Sequence, residues 1–266
     1  MEPTIERPRV VSREEWLQER RAHLAREKEL TRAADRLAEE RRALPWVRVE
    51  KEYAFDAPRG RVTLGDLFQG RSQLVLTHFM LGPGWKEGCV GCSFGADHMA
   101  GARLHLEQHD VSVVYVSRAP LAEIEPFKRR MGWTFPWVSS HGSDFNYDFA
   151  VSFTPDQVAR RERAYNFGTT EVDSEDLSGV SVFYRDDAGG VFHTYSTFGR
   201  GSEKNLGAYM YLDLTPKGRN ESPRGNLTDW VRHHDRYGAD GHVDETGRFV
   251  AGRPAGGPCC AGEVPP

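Results

Sequence analysis

The sequence reads as an α/β sandwich with a mixed central sheet and an N-terminal helical extension. Three features carry that reading. Two predominantly apolar runs, 74–81 and 111–116, have the length of buried strands and are joined by a helix-length segment, which makes a right-handed βαβ unit. Two β-rich runs, Val180-Ser181-Val182-Phe183-Tyr184-Arg185 and Val191-Phe192-His193-Thr194-Tyr195-Ser196, bracket Asp186-Asp187-Ala188-Gly189-Gly190 as an antiparallel hairpin. Ahead of them, residues 12–44 hold sparse apolar positions among dense charge, the pattern of a solvated helix.

Composition narrows the function classes. The chain has 266 residues, 38% apolar and 28% charged, which suits one or two globular domains. With 35 basic against 39 acidic side chains its net charge is -4, so no cationic excess is available for nucleic acid. No apolar run approaches the roughly 20 residues of a membrane helix. Met1-Glu2-Pro3 opens onto charged sequence without the basic start and apolar stretch of a secretory signal, and a cytoplasmic location is the expectation. The 4 cysteines fall in two close pairs, Cys89/Cys92 and Cys259/Cys260, a distribution that favours redox chemistry or metal binding over disulfide scaffolding.

The elements follow in chain order. Ser12 with Glu15 forms a capping-box pattern that starts the helix over 12–44, whose apolar positions are Trp16, Leu17, Leu24, Leu30 and Leu37. Residues 1–44 thus form a helical extension that lies on the main domain or on a second subunit; Pro45 ends it. The main domain spans 45–220. Residues 47–55 alternate as one strand, Asp56-Ala57-Pro58-Arg59-Gly60 turns the chain, and Leu64-Gly65-Asp66-Leu67-Phe68 forms a helical turn. The run 73–80 is a strand covered on both faces. A helix runs from Cys89 to about Gln108, a strand covers 111–116, and a helix covers 121–131. The aromatic-rich stretch 135–175 reads as an insertion packed on the domain. Residues 221–266 form a C-terminal extension, with one amphipathic patch at 230–237 and a flexible tail from Gly247.

Cys89-Val90-Gly91-Cys92 lies where a strand gives way to a helix. Unpaired N–H groups and the helix dipole at such a start favour thiolate over thiol, so Cys89 is the candidate nucleophile. Lys86, three residues earlier, adds positive charge, which Glu87 partly cancels. Cys92, one turn into the helix, shares the face of Cys89 and can resolve a mixed disulfide.

Strand, Cys89-Val90-Gly91-Cys92, helix, strand, helix and hairpin together resemble the thioredoxin-like fold, a three-layer α/β/α sandwich with a mixed central sheet. More closely, Leu67-Phe68-Gln69-Gly70-Arg71, His78-Phe79-Met80, Cys89-Val90-Gly91-Cys92-Ser93-Phe94, Phe183-Tyr184-Arg185-Asp186 and 211–219 are similar to the DUF899 family, found mainly in bacteria and often described as predicted dithiol-disulfide oxidoreductases. The resemblance implies a thiol-disulfide oxidoreductase with Cys89 attacking and Cys92 resolving. It implies a redox disulfide in place of a bound cofactor, and a protein or small-molecule thiol or disulfide as substrate. Strand alignment puts His78 where thioredoxins hold the acid that moves the resolving proton; the alternative is a core histidine. Trp85 resembles the aromatic that precedes the thioredoxin cysteines. Ser178-Gly179 occupies the place of the thioredoxin cis-proline, which makes these two residues candidates for substrate contact.

The missing proline leaves the thiols freer to bind metal, so a metal- or ligand-binding protein without catalysis is one alternative; no metal ligand set is assigned. A peroxiredoxin-like thiol peroxidase is a second, although Pro83 and Lys86 do not fit the peroxiredoxin pattern before the cysteine. A structural module that forms a homodimer through the N-terminal helix is a third. Cys259-Cys260 suits a labile redox relay or two surface thiols. His98 is read as a surface residue, His193 shares a strand face with Val191 and Tyr195, and His233-His234-Asp235 is weak as a metal site.

Overall fold

The computed structural model describes residues 8–219 and 230–237, together with the backbone of two paired strands at 241–243 and 249–251. Helix α1 (Arg13–Arg42) starts at Ser12, whose hydroxyl accepts from the Glu15 amide while the Glu15 carboxylate accepts from the Ser12 amide, as the capping-box spacing predicts. None of its residues is buried, and it extends for about 45 Å at 1.5 Å per residue. Near its end the Arg41 guanidinium lies 5.1 Å from the Tyr195 ring.

The body begins with β1 (Val47–Arg48), β2 (Ala54–Ala57), β3 (Gly60–Thr63) and β4 (Gln73–His78), followed by α2 (Val90–Gln108), β5 (Val111–Ser117), α3 (Leu121–Arg130) and β6 (Trp137–Ser139). Short helices α4 (Phe145–Asp148) and α5 (Pro155–Ala159) come next. A small ladder of β7 (Arg163–Ala164) and β8 (Thr170–Glu171) then encloses the one-turn α6 (Tyr165–Gly168). The hairpin β9 (Gly179–Arg185) and β10 (Val191–Phe198) leads through a 3-10 stretch, Gly199–Asn205, into α7 (Gly207–Leu212).

Eight strands form one sheet in the order β1-β10-β9-β4-β5-β6-β2-β3. β4 is parallel to β5 and antiparallel to β9, and β9 is antiparallel to β10, so a βαβ unit is closed by a hairpin around a central β4. That is the thioredoxin-like arrangement. Both faces of β4 are covered, which accounts for the apolar run Leu74-Val75-Leu76 within it. Leu74 and Leu76 pack with Val116, Phe145 and Phe183 on one face. Phe79, Val113, Tyr115, Phe127 and Trp137 form the layer beneath α2 and α3 on the other.

The structure corrects two expectations of strand pairing. Residues 47–55 are not one strand: Val47 pairs with His193 at one edge of the sheet, while β2 pairs with β3 and β6 at the other. Between them the chain crosses the sheet face, held by Val49 N–H on the Val191 carbonyl, by Lys51 on Asp144 and Asp148, and by the buried Tyr53 ring against Phe145. The aromatic-rich stretch, in turn, supplies a sheet strand, since β6 runs parallel to β5.

Candidate active site

β4 delivers the chain to Met80, and the Met80 peptide organises the cysteine turn from both sides. Its carbonyl accepts from the Cys89 amide at 3.0 Å, and its N–H donates to Cys92 Sγ at 3.5 Å. Cys89 is the N-cap residue of α2, and its carbonyl accepts from both the amide and the hydroxyl of buried Ser93. Gly88, just before it, is required by close approach: a Cβ there would stand 2.4 Å from the Phe79 ring and 2.7 Å from that of Phe127. The Gly88 carbonyl is bonded at 3.0 Å by Nε2 of buried His233, whose Nδ1 faces Arg130 Nη2 at 3.3 Å. With Arg130 able only to donate, His233 carries its proton on Nε2.

Both cysteines are half-buried free thiols. No side-chain hydrogen bond closes the cap, yet the Cys89 thiol is lowered to about 7. The neighbouring Cys92 thiol is the main cause, and the N–H groups of Cys92 and Gly91 add to it against the opposing effect of burial. Cys92 moves the other way. The Cys89 sulfur beside it, burial and the Cys89 charge all push its thiol well up. The pair is therefore asymmetric, one sulfur inclined to be anionic and its neighbour held protonated.

The sulfurs open onto a cavity of about 360 Å³ whose wall includes Ser178 and Gly179. Those two expected contact residues are thus brought to the cysteines. Tyr165 holds them there: its hydroxyl donates to the Ser178 carbonyl and accepts from the Gly199 amide. Gly179 is needed because a Cβ would stand 2.9 Å from the Phe198 ring.

The other sequence candidates are placed elsewhere. His78 borders the cavity, but its ring belongs to the opposite face of the sheet with Leu74 and Leu76. There it stacks on Phe145 and Phe149 and meets Ser181 Oγ at 2.9 Å through Nε2. Burial, with a smaller effect from His193, pushes it down to about 3, so it is neutral and does not sit beneath Cys92. The core-histidine alternative describes it. The β4 residue on the cysteine side is Thr77, beside Tyr115, whose phenol burial keeps protonated; sequence reasoning missed both. Lys86 is exposed and, like Trp85, lies outside the cavity wall. A Cβ on Gly82 would stand 3.0 Å from Trp85 Nε1 and 2.5 Å from Asp176 Oδ2, which places that indole toward the buried Arg118–Asp176 ion pair.

His98 is not a free surface residue, because it bridges α2 and α7: Nδ1 contacts the Phe94 carbonyl at 2.7 Å and Nε2 accepts from the Ala208 amide at 3.0 Å. His193 faces the same side as His78, and the two are linked through Ser181 and Ser196. His233 and His234 diverge, one to Gly88 and the other to Asp97. Among the described residues no group of three or more His, Cys, Asp or Glu side chains is arranged to hold a metal. Cys259, Cys260 and most of the expected tail lie outside the described residues. No helix among the described residues is long and apolar enough to cross a membrane.

A family model described as a bacterial protein of unknown function, DUF899, matches residues 5–237. No curated protein matches the chain. Similar solved structures include a peroxidoxin, BcpB, from Mycobacterium tuberculosis, at 15% identity and TM-score 0.40 over 59% of this chain and 90% of that one. A putative thiol:disulfide interchange protein DsbE from Chlorobium tepidum is similar at 14% identity and TM-score 0.39, over 65% of this chain and 99% of that one. A yeast mitochondrial 1-Cys peroxiredoxin shows 18% identity and TM-score 0.39, over 68% and 84% of the two chains. Likeness at this distance says nothing of chemistry.

Proposed function

The chain belongs to the DUF899 family, and we propose that this member is a thiol–disulfide oxidoreductase in which Cys89 attacks and Cys92 resolves. The observation that carries the reading is the placement of two free, half-buried thiols on one cavity at the start of α2, where Cys92 lowers the Cys89 thiol and is itself raised. Thiolate is the form that attacks a disulfide, and attack is most effective when the thiol's pKa lies near the ambient pH.

In the reductive direction the Cys89 thiolate attacks one sulfur of a substrate disulfide. A new S–S bond forms, the substrate bond breaks, and one thiolate departs. Cys92 then attacks Cys89 in the mixed disulfide, releasing the second substrate sulfur, and its proton passes to a departing thiolate. Two electrons leave the protein, the substrate ends as one thiol and one thiolate, the latter taking its proton from water, and the protein ends with a Cys89–Cys92 disulfide. Buried and protonated, Tyr115 keeps the cavity floor beside Cys92 uncharged. Neither His78 nor Lys86 is needed.

Alkylation of the reduced protein across pH, with the label mapped by mass, tests this assignment. Cys89 should label first with a midpoint near 7, and Cys92 should resist until well above it. Equal, slow labelling of both sulfurs with a common midpoint near about 8.5 would remove the nucleophile.

A further inference from the structure

We propose that the substrate is a small, uncharged, apolar disulfide or its thiol, and neither a protein nor an anionic peptide thiol. This inference rests on the exchange reading above. The cavity volume, about 360 Å³, lies at the lower end of the range of about 300–1,000 Å³ typical of small-molecule sites. Beyond the cysteines its large apolar side chains are Phe94, Met99, Val180 and Leu206 with the Tyr115 ring, and its neutral polar members are Thr77, Ser178, Ser202 and Asn205.

Charge in the wall decides the class. Among the described residues no lysine or arginine lines the cavity, and the acid that does, Glu203, is already paired with Arg200 and Arg219. A carboxylate or phosphate entering with the sulfur would lose water and gain no cation, a cost that a neutral substrate avoids. Shape decides against a polypeptide. The 3-10 stretch Gly199–Asn205 and Leu206 wall the cavity opposite α2, with Leu206 near enough to Gly95 that a Cβ there would touch it at 3.8 Å. At the strand end beside the cysteines, the Ser178 carbonyl, which an added peptide strand would use, already accepts from Tyr165.

The test measures how fast the reduced, full-length protein forms its Cys89–Cys92 disulfide with four probes: diethyl disulfide, cystamine, oxidised glutathione and insulin. Each rate is divided by that of the same probe with free 2-mercaptoethanol, which removes differences in intrinsic reactivity. The normalised rate with diethyl disulfide should exceed each of the other three at least tenfold. Met99→Lys, which adds a cation to the wall, should raise oxidised glutathione at least fivefold relative to diethyl disulfide. Similar normalised rates, a lead for glutathione or insulin, or an unmoved ratio in a folded Met99→Lys protein would overturn the substrate class while leaving exchange intact. Absence of the Cys89–Cys92 disulfide with every probe would overturn both readings.

Discussion

Replacing Cys92 with alanine removes the proton donor that does most to acidify Cys89. The Cys89 thiol falls from 9.0 to about 7, with the Cys92 hydrogen bond as the largest cause. That change in acidity corresponds to about 3 kcal/mol between the two protonation states. A hydrogen bond to a charged group contributes about 1.5–3 kcal/mol, so losing it should lift the Cys89 midpoint to about 8 or above. The N–H groups at positions 91 and 92 survive the substitution and keep it below an ordinary thiol. At pH 7 the thiolate fraction would then drop from about one half to about one tenth. Intrinsic nucleophilicity rises with basicity, with a Brønsted slope of about 0.4–0.5, so the alkylation rate at pH 7 should fall only about twofold. The midpoint is therefore the diagnostic quantity, read from ultraviolet thiolate absorbance against pH and from mass-mapped alkylation. A Cys92→Ala midpoint unchanged from wild type would refute the claim that the second thiol acidifies the first.

Breaking the Arg118–Asp176 pair with Arg118→Ala leaves the buried Asp176 carboxylate with the Ser152 hydroxyl as its hydrogen-bond donor, and urea unfolding should show a loss of about 3 kcal/mol. Gly88→Ala forces a methyl group against Phe79 and Phe127 and should cost about 1–3 kcal/mol while slowing Cys89 alkylation; wild-type stability and labelling would contradict the close packing. His78, held near 3 by burial, is protonated in the unfolded chain before the folded one, so stability should fall as pH drops from 6.5 toward 3. The expected slope is about 1.4 kcal/mol per pH unit, and His78→Gln should remove that part of it in urea titrations between pH 6 and 4. His233→Ala deprives the Gly88 carbonyl of its donor and should lower stability by about 1–3 kcal/mol, with a shift in the Cys89 midpoint that a remote core residue would not produce.

The central part of the fold and the cysteine pair were legible in the sequence for local reasons. Apolar runs of strand length disclosed β4 and β5, turn chemistry disclosed the β9–β10 hairpin, and the spacing of Cys89 and Cys92 at a strand–helix junction disclosed the site. What stayed hidden depends on partners far along the chain. Alternation runs on through 47–55, but Val47 pairs with His193 and Asp56 with Ser139, so only tertiary pairing shows the break. His78 was misplaced because β4 is covered on both faces, each mixing apolar with polar residues, and alternation then carries no signal to tell Thr77's side from His78's. β6 has only 3 residues, too few for a periodic pattern. The grip of His233 on Gly88 spans 145 positions, a distance over which no spacing rule applies.

The stretch that links β1 to β2 ties opposite flanks of one sheet with a single short length of backbone. Assembly of the first flank must wait for β10, which is made nearly at the end of the described body, so the sheet closes late and at high contact order. The outermost strands are also brief, Val47–Arg48 on one side and Gly60–Thr63 on the other, and give a neighbouring molecule little backbone on which to zip. A chain arranged this way trades speed of maturation for resistance to edgewise aggregation.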